Sequence, residues 1–526
     1  MRRSATPSVP QRRNARQRKK QPRQSRKGQA SRRKPKRRKT LNLRKYNGAS
    51  TSRLFSDFLQ TSTSADEEIK TNLRLLRDRS RDLARNDSYV QRYLNLMQSN
   101  VVGNNGIRLS MKARNDDGSL DLVANRIIEE KWHQWCRLGN CTTNGRLTFI
   151  DCQKLFIESL ARDGEVLVRH VKSRDSEFGY QIEFLEADHL DETKNDNPEK
   201  GGNKIKMGVE LNASNKPIAY YLFKNHPFDN QYYARQSHIR LNADEMIHAY
   251  IPNRPEQNRG VPFTASAMAN IKMLGGYLEA EIVSARVSAS KMGFFTSPDG
   301  DSYVGDGEDE EYVPIMNAEA GTFEQLPAGM DFKSFDPDHP TSAFESFSTQ
   351  VLRSIASGLN ISYHALTNDL SSVNYSSLRA GALEDREMYR LYQRFTIDHF
   401  VRPVFERWLE MSISSGAIST SPSTNQPLPM SRYDKFANSA NFIPRSFSWV
   451  DPQKEMMASI SGMQSGLVTF QDVQANYGRD VEELFEQHER EQKLAEQYGV
   501  KTAFQPFGMK MPVEADIQGG EGGEDG

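Results

Sequence analysis

The sequence predicts an α+β fold, mainly α, tied to a polycationic arm. Three observations lead there. Apolar residues recur at helical steps through the segments 65–96, 120–138, 264–292 and 376–403. The stretch 164–250 changes to short β-branched and aromatic runs separated by turn residues. Charge is also split along the chain. Residues 1–56 hold 21 of the 70 Lys and Arg and no Asp or Glu, which leaves 49 basic residues against 68 acids. The net charge of +2 hides an arm and a body of opposite sign.

The arm, 1–56, is rich in Arg, Lys, Gln, Ser and Pro and nearly free of apolar residues until Leu41. Such a composition buries too little surface to offset chain entropy and reads as disordered. Its densest run is Arg32, Arg33, Lys34, Lys36, Arg37, Arg38 and Lys39. Blocks of one sign are commonly interaction tails, and a polycation gains by releasing counterions from a polyanion, so salt-dependent polyanion binding is the favoured reading. A merely solubilising arm, or one that meets an acidic protein, is the alternative. No apolar stretch follows the basic start, so it is not read as a secretory signal. No run of about 18 apolar residues suggests a membrane span. Three cysteines, Cys136, Cys141 and Cys152, make no disulfide framework and suit a reducing compartment.

Within the body, 65–96 is helical and highly charged. Gly103-Asn104-Asn105-Gly106 marks a turn before a short strand. In the helix predicted over 120–138, Ile128, Trp132, Trp135 and Leu138 share one face, and the tryptophans read as core. Strands are predicted at 165–171, around Ile182 and Phe184, and at 218–223, with Asn212-Ala213-Ser214-Asn215 as a hairpin turn. A helix from Thr264 to about residue 292 would run on the order of 40 Å. It carries Met268, Ile271, Leu274, Leu278 and Ile282 on one face, and the small residues Gly275, Gly276, Ala280, Ser284 and Ser288 fit close packing, possible between subunits. An acidic Gly/Pro-rich segment, 296–340, precedes a second helix with Phe344, Phe347, Val351 and Ile355. A third runs from Ser376 toward Pro403, which should kink or end it. Residues 415–445 read as a Ser/Pro/Asn-rich connection, 452–497 as a helical module, and the tail from Glu514 as disordered and acidic.

Searching for chemistry returns little. No phosphate-binding G-x-x-x-x-G-K-[ST], H-E-x-x-H, G-x-S-x-G or G-x-G-x-x-G occurs, so no catalytic, cofactor or metal residue is assigned. His133 with the three cysteines has irregular spacing for zinc and reads as ordinary packing. Asp299 and Asp301 begin like a calcium loop, but Val304 stands where glycine is needed. The acids Asp299, Asp301, Asp306, Glu308 and Asp309 then read as a solvated or protein-docking loop. Arg379, Arg386, Arg390 and Arg394 fall on one face of the third helix. Such a stripe asks for a facing anion, since like charges at i,i+4 repel. Salt bridges to a neighbouring subunit come first, a solvated face second and DNA phosphate third. The helix–Gly–helix pattern at 466–480 resembles a DNA-reading motif, but Glu482, Glu483, Glu486 and Glu489 on its second helix argue against groove binding.

Several stretches, in order, resemble the lambda-type family of tailed-bacteriophage portal proteins. They are Arg81-Asp82-Leu83-Ala84-Arg85-Asn86 with Val101-Val102-Gly103; Asp244-Glu245-Met246-Ile247-His248; and Arg254-Pro255-Glu256-Gln257-Asn258-Arg259-Gly260-Val261-Pro262. Leu326-Pro327-Ala328-Gly329 and Asn374-Tyr375-Ser376-Ser377-Leu378-Arg379 follow, with weaker support at Asp451-Pro452-Gln453-Lys454-Glu455 and Gly466-Leu467. The resemblance covers most of 65–500. It implies a non-enzymatic ring, usually of twelve subunits, at one capsid vertex, through which double-stranded DNA is packaged and ejected. It implies a wing over 57–262, stem helices at 263–295 and 343–359, a clip region at 296–342, a tunnel loop and helix at 360–412, a connection back to the wing at 413–451, and a crown at 452–500 before the tail, 501–526. Asn374, Tyr375, Ser376, Ser377 and the four arginines would lie at the tunnel. The acids of 299–309 would dock the terminase large subunit and then a head–tail connector. Major capsid and scaffold proteins are further partners; no membrane is. The protein would be assembled in the host bacterial cytoplasm and reside at the portal vertex of the virion. The arm matches nothing in the family pattern. The competing readings are a basic-armed nucleic-acid-binding structural protein and a packaging-enzyme subunit.

Overall fold

Side-chain caps set the first helices. Ser64 caps α1 (Ala65–Lys70), Asp87 caps α3 (Ser88–Met97), and between them lies α2 (Leu73–Asn86). Each cap satisfies an amide that has no partner inside the helix. A π-helical turn, Gln98–Val102, carries α3 into strand β1 (Arg108–Met111). Asp121 caps α4 (Leu122–Trp135), and Thr148 with Asp151 forms a full capping box on α5 (Phe149–Asp163). The computed structural model describes residues 62–197, 202–229, 237–289, 293–296, 331–334, 344–371, 375–419, 428–447, 452–477, 479 and 481–500. The arm, Asn374 and the acids of 299–309 lie outside them.

The β-rich stretch forms two antiparallel sheets. In one, β2 (Glu165–Lys172) is central between β3 (Tyr180–Leu185) and β8 (Met246–Tyr250). The other runs in the order β4 (Lys204–Lys206), β5 (Val209–Leu211), β6 (Pro217–Phe223), β7 (His238–Asn242). The hairpin expected at 212–215 joins β5 to β6: Asn215 donates to the Asn212 carbonyl at 3.0 Å and takes φ 59°, which asparagine tolerates.

Helices dominate the rest. They are α6 (Met268–Ala289), α7 (Phe344–Gly358), the short α8 (Tyr363–Thr367), α9 (Tyr375–Thr396), α10 (Arg402–Ser414) and α11 (Tyr433–Asn438). Strand β9 (Gly293–Thr296) pairs antiparallel with β10 (Asp331–Ser334). Strand β11 (Ala440–Ile443) pairs antiparallel with β1. The C-terminal module holds α12 (Pro452–Gln464), α13 (Phe470–Asn476) and α14 (Val481–Gln497). Pro403 acts as expected: the α-helical ladder stops at Thr396, a π turn spans Ile397–Val401, and the proline enters the first turn of α10, where its missing N–H is harmless.

The core is aromatic. Trp132 and Trp135 of α4 stack at 5.0 Å, and Trp408 of α10 meets Trp132 edge-on at 4.9 Å. Phe149, Phe400 and Phe405 close around them. The Trp135 indole N–H donates to the Tyr180 carbonyl at 3.0 Å, so its burial leaves no orphan donor. Leu138 departs from the expected face: α4 ends at Trp135 and Leu138 is exposed. The segment read as a connection, 415–445, contributes α11 and the β11 partner of β1. Among the described residues, no helix is long and apolar enough to cross a membrane.

Candidate functional site

Tyr375, Ser376 and Ser377 form the opening turn of α9. The loop before α9 is tied to it through Asp385, which accepts from the Ser362 amide at 2.9 Å and its hydroxyl at 2.6 Å, so one carboxylate fixes the start of α8 against α9. Arg92 of α3 adds a bond to the Ala365 carbonyl at 2.8 Å. The arginine stripe on α9 has acids within the chain. Arg379 faces Glu455 of α12 at 3.7 Å, Arg390 pairs with Glu387, and Arg394 with Asp398 at 2.7 Å. Arg386 stands 5.6 Å over the Phe447 ring. These pairs are partly exposed, so each is worth under about 1 kcal/mol.

The strongest electrostatic feature was not read from the sequence. Glu165, the first residue of β2, is fully buried. Arg259 grips it through Nε (3.0 and 2.9 Å) and Nη2 (2.5 Å), Arg77 of α2 donates to it at 3.0 Å, His248 of β8 lies at 3.0 Å, and the Gly260 amide donates at 3.1 Å. Arg259 also donates to the carbonyls of Ala187, Leu190 and Met207. Arg77 reaches Asp188 at 2.8 Å, and Arg81 joins Asp188 (2.5 Å) to Asp163 (2.7 Å). Three arginines thus balance three carboxylates. Burial alone would raise the Glu165 carboxyl, but Arg259 and His248 hold it well below the ordinary range. Burial drives His248 below its usual value despite Glu165, so it serves as a neutral donor. The cluster locks α2, both sheets and the segment 254–262 together. The backbones at 164 and 260–262 are pressed together with no room for a Cβ at either glycine: one on Gly164 would sit 2.2 Å from the Val261 carbonyl carbon, and one on Gly260 2.0 Å from the Gly164 oxygen. Two of the motifs quoted above, at Arg81 and Arg259, are therefore the two halves of one buried ion network. Separation in sequence hid it: Glu165 lies 94 residues before Arg259 and 88 after Arg77.

The three cysteines are free, with Cys141 and Cys152 buried. Burial pushes the Cys136 thiol well up, and contact with Cys141 followed by burial does the same for Cys152. Among the described residues, Glu186, Asp188 and His226 bring three ligand atoms within 4.8 Å. Asp188 already accepts from two arginines there, and their charge opposes a cation.

The first of the long helices, α6, is half embedded. Ile271 and Leu274 are buried, Tyr277 packs on Phe344 and Phe347 of α7, and Asn270 bonds Ser354 at 3.1 Å. Further along, the predicted apolar face is bare at Ile282, which is 62% exposed; off that face Val283 is 51% and Met273 73% exposed. A Cβ built on Gly275 or Gly276 meets nothing within 4 Å.

Comparison with known proteins gives the family. The model of the phage portal protein, lambda family, matches residues 51–393. A probable portal protein of Halomonas phage phiHAP-1 is 33% identical over 454 residues, 85% of each chain. Portal protein B of Escherichia phage lambda is 22% identical over 471 residues, 84% of this chain and 87% of its own. Among solved structures, a chain from the neck of a native GTA particle computed with C12 symmetry aligns with a TM-score of 0.39 and 11% identity, over 75% of this chain and 91% of that one. Matched across more than half its length by the family model, and a third identical to a phage relative over most of both chains, the protein belongs to the lambda family of phage portal proteins and is a portal protein of the phage head.

Proposed function

We propose that this portal protein closes into a ring, of twelve subunits as the family resemblance implies, and that double-stranded DNA passes through its centre during packaging and ejection. The observation that carries the ring is α6. A long helix whose apolar residues Met273, Ile282 and Val283 are exposed, with open space beside Gly275 and Gly276, offers apolar surface that another molecule can cover. Small residues on it let a second helix approach closely. The protein acts as a conduit rather than an enzyme, and the energy for packaging comes from the terminase. The large terminase subunit and then the head–tail connector dock on the clip region, 296–342, where the acids of 299–309 offer a charged surface. The wing, stem, tunnel and crown follow the boundaries given above, with Tyr375, Ser376, Ser377 and the α9 arginines toward the tunnel. Major capsid and scaffold proteins meet the ring during assembly in the host cytoplasm, and the virion vertex is its final place. The arm, with 21 cations and no acid, contacts polyanion, and packaged DNA is the nearest one.

Sedimentation velocity tests the ring. A Cβ at position 276 meets no atom within 4 Å, and leucine suits a helix better than glycine, so Gly276→Leu should retain the folded subunit. The wild-type chain should sediment as a closed oligomer and the variant as smaller species. Unchanged rings in the variant would remove α6 from the subunit interface, and a monomeric wild type would remove the ring.

A further inference from the structure

The C-terminal module has a groove between its first two helices. On α12, Met456, Ile460 and Met463 follow steps of 4 and 3 and share one face. On α13, Phe470 and Val473 stand one turn apart. Gly466, at φ 71°, turns the chain between the two helices, and a Cβ on Gly462 would sit 2.9 Å from Val468, so they meet closely at the turn. Phe447 comes in from past β11, and these six side chains line a cavity of about 530 Å³. Pockets of this size take a small ligand or a few side chains. Met456 is exposed at the edge, and methionine adapts to apolar partners of irregular shape. Arg479, which is exposed, is the one charged group among the described residues of the lining.

The chain carries a matching segment within 501–526, which lies outside the described residues. Phe507, Met509 and Met511 alternate at steps of two, so an extended backbone turns all three to one side. Residues 512–526 then hold Glu514, Asp516, Glu521, Glu524 and Asp525 and no Lys or Arg, opposite in sign to Arg479. The reach is sufficient. Phe485 stacks on Phe470 at 5.9 Å, which places the start of α14 at the groove. At the far end Gly499 takes φ 66°, and the Val500 amide donates to the Ala495 carbonyl at 2.9 Å, which ends the helix and folds Val500 back against it. From Phe485 to Ala495 the helix rises about 15 Å. The stretch from Val500 to Phe507 spans about 23 Å when extended, more than the return requires.

We infer that the groove between α12 and α13 is the docking site of the chain's own segment Phe507–Met511. The three apolar side chains enter the cavity, and the acids that follow lie toward Arg479. A segment tethered this near the groove competes at high effective concentration with any free partner. Docking covers apolar surface that the module otherwise leaves to solvent. It requires neither ring closure nor DNA.

Hydrogen exchange on the full-length protein tests it, read on peptides covering 456–463 and 470–477 at two protein concentrations. The variant F507S/M509S/M511S changes no residue of the groove, and both peptides should exchange several-fold faster in it than in wild type. A synthetic peptide of residues 503–516 should return the variant to the wild-type rate. Equal rates in wild type and variant would overturn the docking. So would a variant that the synthetic peptide fails to restore, whether or not its circular dichroism matches wild type. Wild-type protection that disappears on dilution would mean that a second copy covers the groove, and would overturn the assignment to the chain's own segment.

Discussion

Arg259→Ala should be among the most damaging single changes in the protein. The side chain is fully buried and makes three contacts to Glu165 and three to backbone carbonyls. Removing one member of a buried ion pair costs about 3–5 kcal/mol, because the other charge is left without its partner. Glu165 would keep Arg77, His248 and the Gly260 amide, which places this share near the lower end. The stranded carbonyls of Ala187, Leu190 and Met207 add about 1 kcal/mol each, less whatever water recovers in the vacated space. The expected loss is about 5 kcal/mol, comparable to the whole stability of a marginal domain. Urea unfolding of the full chain, followed by tryptophan fluorescence and circular dichroism, measures it. Because Arg259 and Glu165 act as a unit, R259M/E165Q should be less damaging than the two single losses added, by more than about 1 kcal/mol. An Arg259→Ala variant within about 1 kcal/mol of wild type, or strict additivity in the cycle, would refute the claim that this network holds the body together.

Other consequences follow from the same geometry. Gly164→Ala and Gly260→Ala should each prevent normal folding of the segment 254–262, seen as loss of soluble protein or a large drop in the urea midpoint, since the new methyl lands on backbone atoms 2.2 and 2.0 Å away. Stability should fall as pH drops below about 6.5, the value of an unfolded histidine. Burial, then Arg407, pushes His170 down to about 4, and His248 is lowered as well, so between these limits the unfolded chain takes up protons that the folded one refuses. His170 alone accounts for about 2 kcal/mol at pH 5, and His170→Gln should flatten the slope of midpoint against pH. Asp385→Ala should free the start of α8, raising hydrogen exchange over 362–368 while leaving the aromatic core protected.

Local signals were readable where the physics is local. The helical faces of α4, α6, α7 and α9, the β2, β3 and β6 strands, the 212–215 turn and the capping box at Thr469 with Asp472 all follow from period, cap or turn chemistry. The helix α5 carries the same signals, the capping pair Thr148 and Asp151 with Phe149, Cys152, Phe156 and Leu160 on one face, but it lies between two better-marked segments. Strand β11 is only four residues long, and its pairing with β1 spans more than 300 positions, which no window can show. The arginine stripe was visible as a pattern, but the acid facing Arg379 was not: Glu455 comes from α12. The network around Glu165 was hidden for the same reason. A Glu opening an apolar run reads as a strand start until folding brings two arginines onto it.

The central claim is a ring through which DNA passes. Electron microscopy of the purified protein, as the full chain and lacking residues 1–56, tests it most directly. The account predicts closed rings with a central hole of duplex width from both forms, the arm being dispensable for assembly. Monomers from both would contradict it, and rings from the full chain alone would move the arm from polyanion contact to assembly.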